Sequence, residues 1–445
     1  MEHMKNLFSV HRQDLERSVH EILAELKYDQ LVIHAGTPAF YHADDQEIPF
    51  HTVPHFRHWS PLEGPNHFLL IAPGEKTELI AVCPDDFWYE QARVGTPFWI
   101  EEYTITEVGN AKTAWDVLRE RTAHKNTAFV GDEQGAGMAP AHGIAAHNRN
   151  PQALLSKLDE LRTRKSGYEV ACIRESNKIA AAGHARAYDA FMAHGSELDI
   201  HHAYLIGTKQ AEVNLPYPAI SALDEHGAVL HYQHKQEKRD GGICLLDAGT
   251  SFLGYASDVT RTWAAPKADG RFVSIINALN VLQQELCARV TPGVHTLELH
   301  YEAHKGIARI LKAHDILYCE GDEAIRAGLP QAFFPHGLGH FLGIQVHDVG
   351  ASNSENDNQK LAELFPKLRT IRTLEAGNVI TIEPGIYFIP MLLKKLKESM
   401  SSHLVNWDLV QALTPCGGVR IEDDILVTKE GPQNLTRPYF ESLDR

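Results

Sequence analysis

A chain of 445 residues is too long for one ordinary hydrophobic core and predicts two domains. With 43% apolar, 22% charged and 8% aromatic residues, it reads as a soluble globular protein, which excludes a disordered or fibrous one. The formal charge of −16 argues against a general phosphate-backbone binder; the run 235–240 is short and mixed in sign, so no nucleic acid is expected.

In chain order, the first residues lack the continuous apolar stretch of a signal peptide, and no run reaches the roughly 18 apolar residues of a membrane span. Residues 11–27 have helical periodicity, and 30–36 read as a strand. Residues 68–83 form two β-type runs around a Pro-Gly-Glu-Lys turn, a hairpin signal. A modest α/β domain is therefore expected over 1–160, without catalytic spacing, with Asp44 and Asp45 on a loop. The glycine-rich 131–137 has no Walker lysine and reads as a turn.

From 152 to 194 the pattern is strongly helical, with a charged junction at Arg164–Tyr168 and the second domain expected over 161–445. Gly195 is placed to end the helix, and Ser196 with Asp199 to cap the next. Residues 190–205 resemble 288–304, and each copy is followed by an apolar run ending in an acid and then a second acid. Two related half-domains with facing acidic ends are expected. The six cysteines are scattered without a C-x-x-C pair, as in a reducing compartment, so the protein is expected to be cytoplasmic.

Asp247 ends the apolar run 243–246, and Asp258 opens "DVTRTW", as if on adjacent strands of a hairpin. Glu383 ends "NVITIE", and Glu422 lies in "GGVRIEDDILV". Buried unpaired carboxylates cost several kcal/mol, so each needs a partner. For any single acid, Arg261, Arg372 or Arg420 would serve; for all four, with "PHGLGHFLGIQVHD" (335–348) nearby, a shared cation is expected. Gly337 and Gly339 disfavour a helical pairing of His336 with His340, because each weakens a helix by up to about 1 kcal/mol. A strand-and-turn segment with one metal-binding histidine is expected, with His336 supporting it. His201, His202, His304 and His314 have no evident acidic partner and read as filler. Four carboxylates with one imidazole favour two carboxylate-bridged ions, of manganese, cobalt or iron, over a tetrahedral zinc. Such a pair points to hydrolysis. H-E-x-x-H, Walker and G-x-S-x-G motifs are absent.

"LLDAG…DVTRT", "HGLGHFLGIQVHD", "TIEPGIYF" and "GGVRIEDD" resemble the motifs of the M24 pita-bread metallopeptidases, in their bacterial Xaa-Pro dipeptidase (prolidase) and organophosphorus acid anhydrolase branch. "HRQDL" and "LPYPAISALDEHGAVLHY" extend the resemblance over nearly the whole chain. It implies an α/β (α+β) architecture: a small N-terminal α/β domain, which dimerises and walls the pocket, and a pita-bread catalytic domain with an internal pseudo-twofold. It implies a centre of two divalent ions per subunit, usually Mn2+, with Asp247, Asp258, His340, Glu383 and Glu422 as ligands. Asp258 and Glu422 would bridge the ions, and Glu383 would also move a proton. His231 and His347 would act on the scissile carbonyl, with Arg420 beside the last ligand. Arg369, Tyr217 and Asp45 would contact substrate, although Arg369 could be a solvated residue beside Lys367 and Tyr217 could simply pack between two prolines. The implied reaction is hydrolysis of dipeptides ending in proline by a homodimer, with organophosphate triester hydrolysis as a side reaction. An Xaa-Pro aminopeptidase, a metal-free creatinase-like hydrolase and a non-catalytic binding module on the same fold are the alternatives.

Overall fold

The structure, a computed structural model, describes residues 2–87, 93–238, 241–350, 363 and 365–441; the last two residues of the mixed-charge run 235–240 lie outside these. The chain divides into two compact units, Met1–Arg162 with Ser166–Ala171, and Thr163–Lys165 with Cys172–Arg445.

The first unit is built on a five-stranded mixed sheet of β1 (Gln30–His34), β2 (Phe68–Ile71), β3 (Glu78–Val82), β4 (Thr104–Val108) and β5 (Thr127–Val130), in the order β4-β3-β2-β1-β5. The expected hairpin is present, with Phe68 opposite Ile80 in antiparallel register. Leu31, Val32 and Ile33 are all fully buried, so β1 is covered on both faces and its sequence is apolar without alternation. Val32, Phe68, Ile80 and Phe129 pack with Trp115 and Leu118 of the helix Ala111–Thr122. The first helix, Glu2–Leu26, begins well before the expected start at residue 11; Phe8, Leu15, Val19 and Ile22 mark its buried stripe.

The second unit opens with the helix Gly167–Met192, whose first turn falls in the first unit, and the helix Glu197–Thr208. Ser196 and Asp199 form the expected capping box. The left-handed residue at the helix end is His194, however, with φ of 61°. Gly195 is needed for another reason: a Cβ there would lie 2.8 Å from the Ala190 carbonyl oxygen.

Two antiparallel pairs carry the acids. β6 (Ile220–Leu223), β7 (Ile243–Asp247) and β10 (Thr260–Ala264) form one sheet, and β11 (Val379–Ile382), β14 (Asp423–Thr428) and β15 (Gly431–Asn434) another. An isolated antiparallel bridge, Thr260 to Glu422, joins them. Each pair follows two helices, Gly167–Met192 and Glu197–Thr208 before the first, Gly270–Cys287 and Thr296–Ala313 before the second.

Two local expectations change. Asp258 lies outside regular strand, because a small hairpin of β8 (Ser251–Phe252) and β9 (Tyr255–Ala256) occupies the turn after Asp247. Glu422 is not within one strand but at the break between β13 (Gly418–Arg420) and β14; β13 pairs instead with β12 (Gly385–Tyr387).

Candidate metal centre

The five expected ligands come from five separate segments of the second unit. Residues 335–348 do not form a strand: they run beside β11 with one bridge, Phe341 to Ile380. Main-chain contacts fix this path, with Thr381 N–H donating to the His340 carbonyl at 2.9 Å and Glu383 N–H to the Leu338 carbonyl at 2.8 Å. Gly339 permits it, since a Cβ there would sit 1.8 Å from the Thr381 carbonyl oxygen.

His340 Nδ1 is 3.0 Å from the Phe341 carbonyl, which can only accept, so Nδ1 carries the proton and Nε2 faces the carboxylates. From Nε2, Asp258 lies at 3.4 Å and Glu383 at 3.6 Å. Asp258, His340 and Glu422 are buried with donor atoms mutually within 4.8 Å. Asp247 holds Arg420 through Oδ2, while its Oδ1 is buried without a hydrogen-bond partner.

Electrostatics mark the cluster as one that wants positive charge. Burial raises Asp247, Glu383 (to about 7) and Glu422, and their mutual repulsion together with Asp258 adds to it. Burial lowers His340, but the Asp258 hydrogen bond and the charges of Glu383 and Asp258 outweigh it and carry the imidazole to about 9. Oxygen donors crowded by like charge, one orphaned buried oxygen and one imidazole anchored through Nδ1 with Nε2 towards the acids fit divalent cations.

The arginine alternative accounts for little of this. Arg261 pairs with Asp423 at 2.7 Å, and Arg372 donates to the Gly350 carbonyl. Of the four carboxylates, only that of Asp247 is paired with an arginine among the described residues; Arg261 reaches Glu422 at its main-chain carbonyl.

His347 packs edge-on against His340, ring centroids 4.4 Å apart. Burial, His340 and Arg369 lower its pKa to about 4, so it is neutral near pH 7. His231 is exposed and near enough to His336 and His347 to act on their charge. The Tyr217 hydroxyl is buried beside Asp247, Asp258 and Glu422; burial and those charges keep it protonated. Arg369 is exposed on the segment after residue 365. Asp45 is exposed in the first unit and is not part of this cluster. His201, read as filler without an acidic partner, lies 3.3 Å from Glu212.

Two supporting residues escaped the sequence reading as individuals. Thr260 donates to Glu422 Oε2 at 2.7 Å and accepts from Arg420 Nε at 3.1 Å. The Tyr387 hydroxyl accepts from Arg420 Nη1 at 2.8 Å and lies 2.8 Å from His336 Nε2. His336 Nδ1 faces the Gly337 carbonyl, so Tyr387 donates to Nε2 and the relay His336–Tyr387–Arg420–Asp247 has a defined direction. Both residues sit in the quoted motifs, "DVTRT" and "TIEPGIYF", which was the only signal available.

The family model for metallopeptidase family M24 matches residues 171–429, and that for the Xaa-Pro dipeptidase N-terminal domain matches 6–159. Curated relatives named Xaa-Pro dipeptidase include those of Shewanella woodyi (38% identical, 98% of this chain and 99% of the relative) and Marinobacter nauticus (39%, 97% and 98%). Among solved structures, Escherichia coli aminopeptidase P with the inhibitor Pro-Leu matches at 23% identity and a TM-score of 0.73, over 98% of this chain and 95% of that one. Proline aminopeptidase P II from Yersinia pestis matches at 23% and 0.72, over 98% and 96%. These two share the pita-bread fold with the chain described here. The chain belongs to metallopeptidase family M24 and is a metal-dependent hydrolase.

Proposed function

We propose that this protein is an Xaa-Pro dipeptidase that hydrolyses dipeptides ending in proline at a centre of two divalent ions, Mn2+ by preference. The convergence of Asp247, Asp258, Glu383 and Glu422 around the oriented imidazole of His340 carries the reading. The names of the relatives, at 38–39% identity over nearly the full length, supply the substrate class.

Bound ions would supply Lewis-acid polarisation of the carbonyl and an acidified water as nucleophile. Asp247, Asp258, His340, Glu383 and Glu422 would hold them. Glu383 takes a proton from the attacking water and returns it to the proline nitrogen as the C–N bond breaks. Neutral His347, together with His231, donates hydrogen bonds to the substrate carbonyl, which strengthen as its oxygen becomes anionic. Arg420 keeps Asp247 ionised and oriented. Arg369 binds the proline carboxylate through paired hydrogen bonds, and Tyr217 lines the pocket. An Xaa-Pro bond has no amide N–H, so recognition must rest on the ring and the free carboxylate.

Residues 1–160 then form the N-terminal domain and 161–445 the catalytic one. In a cytoplasmic homodimer, Asp45 of one copy would help close the other copy's site to longer chains. Organophosphate triester hydrolysis is a side reaction open to the same centre. The fold likeness to aminopeptidase P favours one competing reading, an Xaa-Pro aminopeptidase. Turnover of Ala-Pro against Ala-Pro-Ala with added Mn2+ tests the choice: efficient cleavage of the tripeptide would overturn the dipeptidase.

A further inference from the structure

A second cluster of metal-binding side chains lies within the first unit, far along the chain from the five ligands. His11 comes from the helix Glu2–Leu26, His58 from the helix Pro54–Trp59 and Glu169 from the first turn of the helix Gly167–Met192. All three are buried, at 2%, 4% and 2% exposure, so none is a solvated surface group that happens to lie near another.

Hydrogen bonds fix the tautomer of His11. Its Nε2 is 2.8 Å from the His58 carbonyl, which can only accept, so Nε2 holds the proton and the Nδ1 lone pair accepts from the Ser166 hydroxyl at 2.9 Å. A ligand imidazole anchored by its other nitrogen to a backbone carbonyl is the usual arrangement at protein metal sites. Burial lowers the His11 pKa to about 4, against the smaller opposing pull of Glu169, so the ring is neutral and able to ligate at pH 7.

His58 Nε2 is a buried nitrogen with no hydrogen-bond partner, and it points at Glu169. Its distance to Glu169 Oε1 is 3.5 Å, and that from His11 Nδ1 to Glu169 Oε2 is 3.9 Å. Donors on a tetrahedral zinc ion at about 2.0–2.1 Å stand roughly 3.4 Å apart, and the donor atoms of this trio already lie within 4.8 Å of one another. An ion would take the place of the Ser166 hydroxyl proton on His11 Nδ1, which leaves Ser166 Oγ at hand as a fourth ligand. Glu169 is held by the Ser166 N–H at 2.8 Å.

We infer that His11, His58 and Glu169 form a structural zinc site of the first unit, separate from the hydrolytic centre. Two imidazoles and one carboxylate suit zinc better than manganese, whereas the carboxylate-rich cluster has the opposite preference. The ion would tie together three segments that are distant in sequence, and its binding energy would add to the stability of that unit.

The test uses the full chain carrying Asp258→Asn and Glu422→Gln, which disables the other cluster. Stripped of metal and titrated with zinc, it should bind about one ion per chain, melt at a higher temperature with zinc, and give the intense visible bands of four-coordinate cobalt when Co2+ replaces zinc. Adding His58→Ala should weaken zinc binding more than about 100-fold and remove both the melting shift and the cobalt bands. Glu169→Gln, close in shape, should do the same, which separates lost ligation from misfolding. In the otherwise unaltered enzyme, His58→Ala should leave dipeptide hydrolysis unchanged. Absence of zinc binding in the Asp258→Asn/Glu422→Gln chain, or equal binding after His58→Ala or Glu169→Gln, overturns the site.

Discussion

Thr260 and Glu422 pair through both backbone and side chain: they form the antiparallel bridge between the two acid-bearing sheets, and the Thr260 hydroxyl donates to Glu422 Oε2 at 2.7 Å. The same hydroxyl accepts from Arg420 Nε, so one small side chain orients both Glu422 and the arginine that holds Asp247.

Thr260→Val keeps the shape and removes the hydroxyl, leaving Glu422 and Arg420 each short of a buried partner. Such a loss costs about 1–3 kcal/mol. The expected result is a lower melting temperature and a fall in kcat/KM of about tenfold or more, equivalent to at least about 1.4 kcal/mol. Thr260→Ser should restore most of both. A valine variant with unchanged kinetics would remove Thr260 from the support of the centre.

Asp258 lies 3.4 Å from His340 Nε2 and belongs to a buried trio whose donor atoms are mutually within 4.8 Å. Asp258→Ala should lower Xaa-Pro turnover by on the order of 1,000-fold, about 4 kcal/mol of barrier, and reduce bound manganese measured after dialysis. Chelation of the unmodified enzyme should reproduce the loss and added Mn2+ should reverse it. Substantial turnover by the alanine variant would contradict the bridging role.

Glu197 organises the segment that carries His231. Fully buried, its carboxylate accepts from Leu223 N at 2.8 Å, His226 Nδ1 at 2.6 Å, the Tyr232 hydroxyl at 2.7 Å and Gln236 N at 2.8 Å. Glu197→Gln replaces one acceptor oxygen by a donor and should loosen residues 224–236. We expect kcat to fall about tenfold with KM little changed, because in the role proposed for it His231 would be needed most as charge develops on the carbonyl. Metal content should stay constant; loss of metal instead would mark a general collapse of the site.

His67 supplies a pH test outside the metal centre. Its Nδ1 accepts from Val82 N at 3.0 Å and its Nε2 faces the Glu63 carbonyl, an arrangement that requires the neutral ring. Burial lowers its pKa from 6.5 to about 4. Between those values the unfolded chain binds more protons than the folded one, so the contribution is complete above pH 6.5 and is lost as pH falls towards 4. The change is at most about 3 kcal/mol. Urea midpoints at pH 7 and 5 should differ less for His67→Gln than for the parent; an equal difference would exclude His67 from the acid sensitivity.

The chemistry of the centre was legible where it depends on residue type and local motif. The acids after apolar runs, the glycine-flanked His340 and the Ser196–Asp199 capping box could all be read from neighbours in sequence. What could not be read is pairing over long separations. Glu422 looked internal to one strand because residues 418–427 are β-prone throughout, yet β13 pairs with β12 and β14 with β11. Tyr387 and Thr260 owe their roles to Arg420, whose position relative to them is a property of the folded sheets. Gly195 and Gly339 were recognised as helix breakers, while the structure requires each for close backbone approach.

The bridge between Thr260 and Glu422 closes a loop of 162 residues, with Asp247 and Asp258 before that loop and His340 and Glu383 within it. Contacts so distant in sequence carry a large closure entropy and depend on the intervening helices and strands having found their places. Regain of hydrolysis during refolding should therefore lag behind recovery of helix content, making catalysis a late reporter of chain assembly.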